Sequence, residues 1–183
     1  MPLTKTLFRT KCLKIMKKSS SFNRVYKNNL LNNKLQLELK KIKNKKILLY
    51  FPIKNEVDIR KTIAKLRINN EVLLPFMQNE SFKVVPFRLP LRKKKFNIYE
   101  AGNSLRKNNN IDIAIVPIVG LDGNLQRIGF GKGMYDRFFA KLKKKPYTIF
   151  IQMDLCFTKK FICDSHDIKG DILLSTKKRL VKR

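Results

Sequence analysis

Histidine is nearly missing from this chain, with His166 the single example in 183 residues. Catalytic triads and metal centres built on imidazole are disfavoured on that ground. Cysteine is scarce too. Cys12, Cys156 and Cys163 are odd in number and show no CxxC pairing, so neither structural zinc nor a disulfide framework is expected. They read as buried or incidental thiols. Acidic residues number 13 against 42 Lys and Arg, and none precedes Glu38. No apolar run approaches the roughly 20 residues that span a bilayer. The N-terminus lacks an apolar core followed by a small-residue cleavage site. A cytoplasmic chain with no membrane partner is expected.

What is present suffices for a core. With 43% hydrophobic residues, the 183-residue chain reads as one domain, residues 1–183, with a basic tail from about 176 to 183. Its net charge of +29 would attract polyanions. Yet the excess is mostly Lys, spread along the chain beside Asn28, Asn29, Asn32 and Asn33, as A/T-rich coding also produces. Two readings stay open. One is compositional bias on a solvated surface. The other is an RNA- or ribosome-associated protein using Lys40 to Lys46, Arg92 to Lys95 and Lys177 to Arg183 as phosphate contacts. Aromatics interleaved with those runs are almost absent, so no specific nucleic-acid partner is expected.

Periodicity outlines the elements. Leu3, Leu7, Phe8, Cys12, Ile15 and Met16 recur at helical spacing up to Lys18, where Ser19-Ser20-Ser21 should break the helix. A second helix is expected from Phe22 or Asn23 toward Lys41. Lys46 to Phe51 reads as a buried strand ending at Pro52, and Val57 to Ile68 as a helix. Glu71 to Phe76 and Phe82 to Phe87 read as strands joined by a polar turn, followed by a loop from Leu89 to Lys95. The β-branched run Ile111 to Pro117 suits a central parallel strand. Met134 to Lys145 reads as a helix with Met134, Phe138, Phe139 and Leu142 inward. Tyr147 to Met153 and Asp171 to Leu174 read as strands. Alternating strands and helices predict a layered, Rossmann-like α/β domain, its mostly parallel central sheet flanked by helices.

One segment carries chemistry. After the Ile111–Pro117 strand come Asp122, Arg127, Ile128 and the loop Gly129-Phe130-Gly131-Lys132-Gly133, which opens into Met134-Tyr135-Asp136-Arg137. Glycines let backbone approach a phosphate, and N–H groups at a helix start favour anions. Lys132 and Arg127 could neutralise a transferring phosphoryl group. Asp136 is either a Mg²⁺ ligand or a first-turn charge that complements the helix dipole. The spacing is neither GxGxxG nor the Walker pattern, since Met134 and Gly133 stand where those motifs need Gly and Ser or Thr.

Asp122-x-x-x-x-Arg127-x-Gly129-x-Gly131-Lys132-Gly133-x-Tyr135-Asp136-Arg137 resembles the signature of the 5-formyltetrahydrofolate cyclo-ligase family. Lys5-Thr6-Leu7-Phe8-Arg9 resembles that family's N-terminal ATP-contacting helix. Tyr50-Phe51-Pro52 with Glu56-Val57-Asp58 resembles its folate-binding strand and helix start. Leu74-Pro75, Ile111-Asp112 and Gly170-Asp171 follow in the family's order, so the likeness covers nearly the whole chain. Met134 replaces the usual aromatic before Tyr135, Ala101 follows Glu100 where Pro is usual, and Ile118 and Leu121 also depart from the pattern. The resemblance implies ATP-dependent conversion of 5-formyltetrahydrofolate to 5,10-methenyltetrahydrofolate, with the small folate as partner; a monomer is expected, though the sequence does not give the oligomeric state. It further implies that Lys5, Arg9 and Arg127 through Tyr135 hold ATP, with Lys132 and Arg127 catalytic. Arg9, Phe51, Glu56 and Phe130 through Met134 would contact folate, Glu56 accepting from the pterin. Asp136 and Asp171 would ligate Mg²⁺.

Overall fold

The computed structural model describes residues 2–93, 99–104 and 110–182. Helix α1 (Lys5–Ser21) starts where the Thr4 hydroxyl accepts the Leu7 N–H at 3.3 Å, satisfying one open donor of the first turn. Phe8, Cys12 and Met16, four residues apart, form its buried stripe. The serine run expected to break this helix completes it instead. The Ser21 hydroxyl donates to the Lys18 carbonyl at 2.8 Å and the Ser19 hydroxyl to Asp154 at 2.6 Å. Serines near a helix end can satisfy local groups without ending the helix. Helix α2 (Arg24–Glu38) follows a left-handed residue, Asn23, and buries Leu31 and Leu35.

Strand β1 (Lys46–Leu48) is shorter than expected, because only the Leu49 N–H extends its ladder, to the Leu73 carbonyl at 2.9 Å. Tyr50-Phe51-Pro52 then leave the sheet, beginning a loop that reaches α3 (Arg60–Leu66). A hairpin of β2 (Glu71–Gln78) and β3 (Ser81–Pro86) comes next. Arg92–Lys93 form β4, paired with β5 (Tyr99–Glu100), inside what was expected to be a loop; Lys94 and Lys95 lie outside the described residues. The expected central strand is β6 (Ile113–Pro117), buried at every position. A two-stranded ribbon, β7 (Gly120–Leu121) with β8 (Arg127–Ile128), leads into the glycine loop. Helix α4 (Met134–Ala140) is shorter than expected. The Lys141 and Leu142 N–H groups turn back to the Phe138 and Phe139 carbonyls, closing it tightly before Pro146. Strands β9 (Tyr147–Ile151), β10 (Ile172–Leu174) and β11 (Arg179–Val181) complete the chain. The basic tail expected from about 176 is therefore a strand over Arg179–Val181, held antiparallel to β10.

Seven strands form one sheet in the order β11-β10-β9-β6-β1-β2-β3, parallel except at its two edge strands. The alternation of a strand sorts side chains to two faces. Ile47, Ile113, Ile115, Ile149 and Leu174 pack beneath Leu31 and Leu35 of α2 and Ile63 of α3. Leu48, Ala114, Val116, Phe150 and Leu173 pack beneath Phe138 and Phe139 of α4. A third cluster seats α1 on the ribbon through Phe8, Cys12 and Met16 against Val119 and Ile128. The layered α/β architecture with a mostly parallel sheet is the expected one. Among the described residues, no helix is long and apolar enough to cross a membrane. From β1 the chain moves to β2 on one side, while β6, β9 and β10 extend on the other. The carboxyl ends of β1 and β6 therefore border the switch in strand order, where open α/β sheets place their ligands.

Candidate active site

Glu56 stands at that switch. The loop leaving β1 brings it to a cavity of about 10 Å³, also lined by Pro117, Ile118, Ile151 and Gln152 at the ends of β6 and β9. Such a volume holds about one water. Glu56 is buried, and the Ile53 N–H donates to its Oε2 at 3.1 Å. Burial pushes its carboxyl up to about 7, while the Ile53 N–H and the Arg127 guanidinium act in the opposite direction. Tyr50, missed as a site residue in the sequence, lies close enough for Glu56 to act on it. Its hydroxyl donates to the Val57 carbonyl at 2.8 Å, which braces the same loop, and burial raises its phenol well above the ordinary range.

Arg127, on β8, lies near enough for its charge to act on this carboxylate. Its Nη2 donates to Asp136 Oδ2 at 3.0 Å, its guanidinium lies 4.9 Å from the centre of the Tyr135 ring, and its Nε has no acceptor. A buried cation with one unsatisfied donor is costly unless something anionic completes it. Tyr135 meets Phe82 edge-on at 4.9 Å, and burial, then Glu56, raises its phenol. The glycine loop needs its glycines. Gly131 has φ +103° and Gly133, at the start of α4, φ +58°, a region that side-chain-bearing residues rarely adopt. Phe130 and Lys132 are exposed on this loop, and the Lys132 carbonyl accepts from Arg137 at 2.6 Å. Arg9, reaching over from α1, donates from Nε to the Gly129 carbonyl at 3.0 Å. Glu56, Arg127, Tyr135 and Asp136 thus form one connected group, with Arg9 and the loop beside it.

The remaining expected site residues are placed differently. Ile128 is fully buried in the third core, its carbonyl accepting the Val119 N–H at 2.9 Å, and the Met134 side chain packs on the second core. Phe51 is half-buried with its ring centre 5.5 Å from that of Tyr99. Lys5 bonds to Asp164 at 2.9 Å and, closer still, to Asp167. Its ammonium sits on both carboxylates of the Asp164, His166, Asp167 group, the only cluster of three or more potential metal ligands among the described residues. Asp136 uses its second oxygen on the Ile168 N–H at 3.4 Å. Asp171 accepts the Thr148 N–H at 2.8 Å, at the amino ends of β9 and β10, and among the described residues no contact joins it to Asp136. Asp122, part of the signature, accepts the Asn124, Gln126, Ile162 and Cys163 N–H groups and so shapes the turn before Arg127. The expectation of three free thiols is corrected. Cys12 of α1 and Cys156 after β9 are joined in a disulfide, because helix packing brings residues 144 apart into one core; Cys163 is free.

Comparison with known proteins points the same way. A 5-formyltetrahydrofolate cyclo-ligase of Mycoplasma pneumoniae is 30% identical over 132 residues, covering 72% of this chain and 73% of its own. That of Mycoplasma genitalium is 29% identical, with 71% and 72% covered. The solved 5,10-methenyltetrahydrofolate synthetase of Aquifex aeolicus superposes with a TM-score of 0.77 at 25% identity, over 98% of this chain and 93% of that one. The M. pneumoniae synthetase structure gives 0.70 at 26% identity, over 93% and 98%. The model of the 5-formyltetrahydrofolate cyclo-ligase family matches residues 3–175. With the switch-point carboxylate, the glycine loop and these likenesses together, the chain belongs to the 5-formyltetrahydrofolate cyclo-ligase family of enzymes.

Proposed function

We propose that this chain converts 5-formyltetrahydrofolate to 5,10-methenyltetrahydrofolate with ATP and Mg²⁺, releasing ADP and phosphate. The observation that carries this reading is the buried Glu56 beside Arg127 at the switch of the sheet. A pterin presents an amino group and ring N–H on one edge, and a desolvated carboxylate is the strongest acceptor a protein offers them. In the reaction the formyl oxygen attacks the γ-phosphorus and the bond to ADP breaks. N10 then attacks the activated carbon and loses its proton, and the C–O bond breaks as phosphate leaves with that oxygen. These steps ask for alignment and charge neutralisation more than for an imidazole base.

The chain's residues suit those demands. The unsatisfied Nε of Arg127 is a donor that a phosphate oxygen would complete. Lys132 stands exposed on a loop whose glycines admit close approach, and Arg9 holds the loop's first carbonyl. For Mg²⁺, Asp136 is the carboxylate beside the loop, and it would share its oxygens with Arg127 and the Ile168 N–H. One protein carboxylate with phosphate oxygens and water is an ordinary Mg²⁺ environment. The ion would neutralise charge on the phosphates. Asp171, turned to Thr148, fits a structural role better. Mixing the purified protein with Mg-ATP and 5-formyltetrahydrofolate should raise the methenyltetrahydrofolate absorbance. No rise from protein shown folded by its melting transition would overturn the proposal.

A further inference from the structure

Asn28 and Asn32, which in the sequence read as compositional, lie one turn apart on α2 and so on one face of it. Asn32 is 2% exposed, beside the buried Leu31 and Leu35 of the first core. A polar side chain is costly there unless its bonds are made, and asparagine is a poorer helix former than leucine. Asn32 makes all of them. Its Nδ2 donates to the Asn28 carbonyl at 2.8 Å and to the Asp58 carbonyl at 2.6 Å. Its Oδ1 accepts the Thr62 N–H at 3.2 Å and the Thr62 hydroxyl at 2.7 Å. Helix α3 has no side-chain cap of its own at Ile59, so α2 caps its first turn from outside. The Asn28 Oδ1 accepts the Asp58 N–H at 3.0 Å, so these two side chains hold both backbone groups of Asp58.

Asp58 lies at the end of the segment that presents Glu56. Residues 49–59 carry neither helix nor strand, and the bonds of Ile53 with Glu56 and of Tyr50 with Val57 stay inside that segment. Two residues beyond Glu56, the asparagines tie it to a packed helix. Neither asparagine lines the cavity at Glu56. We propose that Asn28 and Asn32 are positioning residues for the folate: by fixing Asp58 to α2 they hold the Glu56 carboxylate where the pterin needs it, without touching the substrate themselves. The inference rests on the folate reading above.

The test compares Asn28→Ala and Asn32→Leu with a control, Asn29→Ala, which removes an exposed bond between the same two helices, from Lys61 Nζ to Asn29 at 3.0 Å. Calorimetry measures the binding of 5-formyltetrahydrofolate and of Mg-ATP separately. Hydrogen exchange follows the amides of residues 50–62, alongside turnover and melting curves. Asn28→Ala should weaken folate binding on the order of fivefold, and Asn32→Leu on the order of tenfold or more, with Mg-ATP affinity and kcat at saturating folate unmoved. Exchange should quicken at Asp58 in Asn28→Ala and at Thr62 in Asn32→Leu, and the control should change nothing. Alanine favours helix over asparagine, so Asn28→Ala should keep its melting temperature, and it decides the test if Asn32→Leu does not fold. Unchanged folate affinity or unchanged Asp58 exchange in Asn28→Ala, an equal loss for Mg-ATP, or the same loss in the control would each overturn the assignment. If folate binding depends on these residues but no methenyltetrahydrofolate forms, the proposed reaction falls and the positioning role stands. If turnover is normal but folate affinity is indifferent to both residues, the positioning role falls and the reaction stands. A wild type that binds no folate overturns both.

Discussion

Glu56→Gln should weaken folate binding, remove its pH dependence and stabilise the protein at alkaline pH, all at once. Burial holds the Glu56 carboxyl at about 7. If the ionised form accepts the pterin N–H groups, wild-type KM for the folate should rise about tenfold between pH 8 and pH 6, as the ionised fraction falls. Glutamine keeps the shape but offers a neutral acceptor, so KM should rise by roughly 1.5–3 kcal/mol at pH 8, with a flat profile below it. The ATP KM should stay level in both proteins. Stability moves in the opposite sense. Because the folded-state value of this carboxyl lies above its unfolded value, the neutral form favours folding below about 4.5. That advantage is lost as pH rises through about 7, to a total on the order of 3 kcal/mol. The variant, which never ionises, should therefore melt higher than wild type at pH 8, with the gap closing toward pH 5. Folate kinetics by methenyl absorbance and melting curves across pH 5 to 8 supply both readings. A wild-type folate KM that is flat across this range, or equal losses for folate and ATP in the variant, would refute the assignment.

Lys132→Ala should lower turnover on the order of a hundredfold through lost charge at the phosphoryl group, with the melting temperature unmoved because the side chain is exposed. Lys144→Ala, also exposed, should change neither. Asp136→Asn should raise the Mg²⁺ needed for half-maximal rate and also destabilise, since it leaves Arg127 buried without its partner. Asp171→Asn should weaken the β9–β10 junction and leave the Mg²⁺ dependence alone; a shifted dependence would restore it as a ligand. Purified without reductant, the protein should be lighter by two hydrogens and should lose melting temperature on reduction. Loop closure over a separation of 144 residues has a ceiling of roughly 5 kcal/mol. Cys12→Ser melting like the unreduced wild type would dismiss the bridge.

What the sequence determined on its own lies within a few residues of where it is written. The β-branched run became β6, every residue of it buried, and Phe138, Phe139 and Leu142 turned inward as their spacing required. The glycine loop was legible because positive φ at Gly131 and Gly133 is a local demand that glycine meets cheaply. Glu56 and Arg127 are recognisable from a familiar order of residues, but nothing local says that the charge of one comes within reach of the other. Tertiary structure alone decided that meeting, by bringing the loop after β1 and the separate β7–β8 ribbon to the same end of the central sheet. It also gave Lys5 to Asp164 and Asp167, far along the chain, when α1 docked on the ribbon. It closed Cys12 onto Cys156, made a strand of Arg179–Val181 by offering β10's free edge, and turned Asp171 to Thr148. Helical period and turn chemistry act over one or two turns of chain, whereas each of these pairings depends on which surfaces the packed layers bring together.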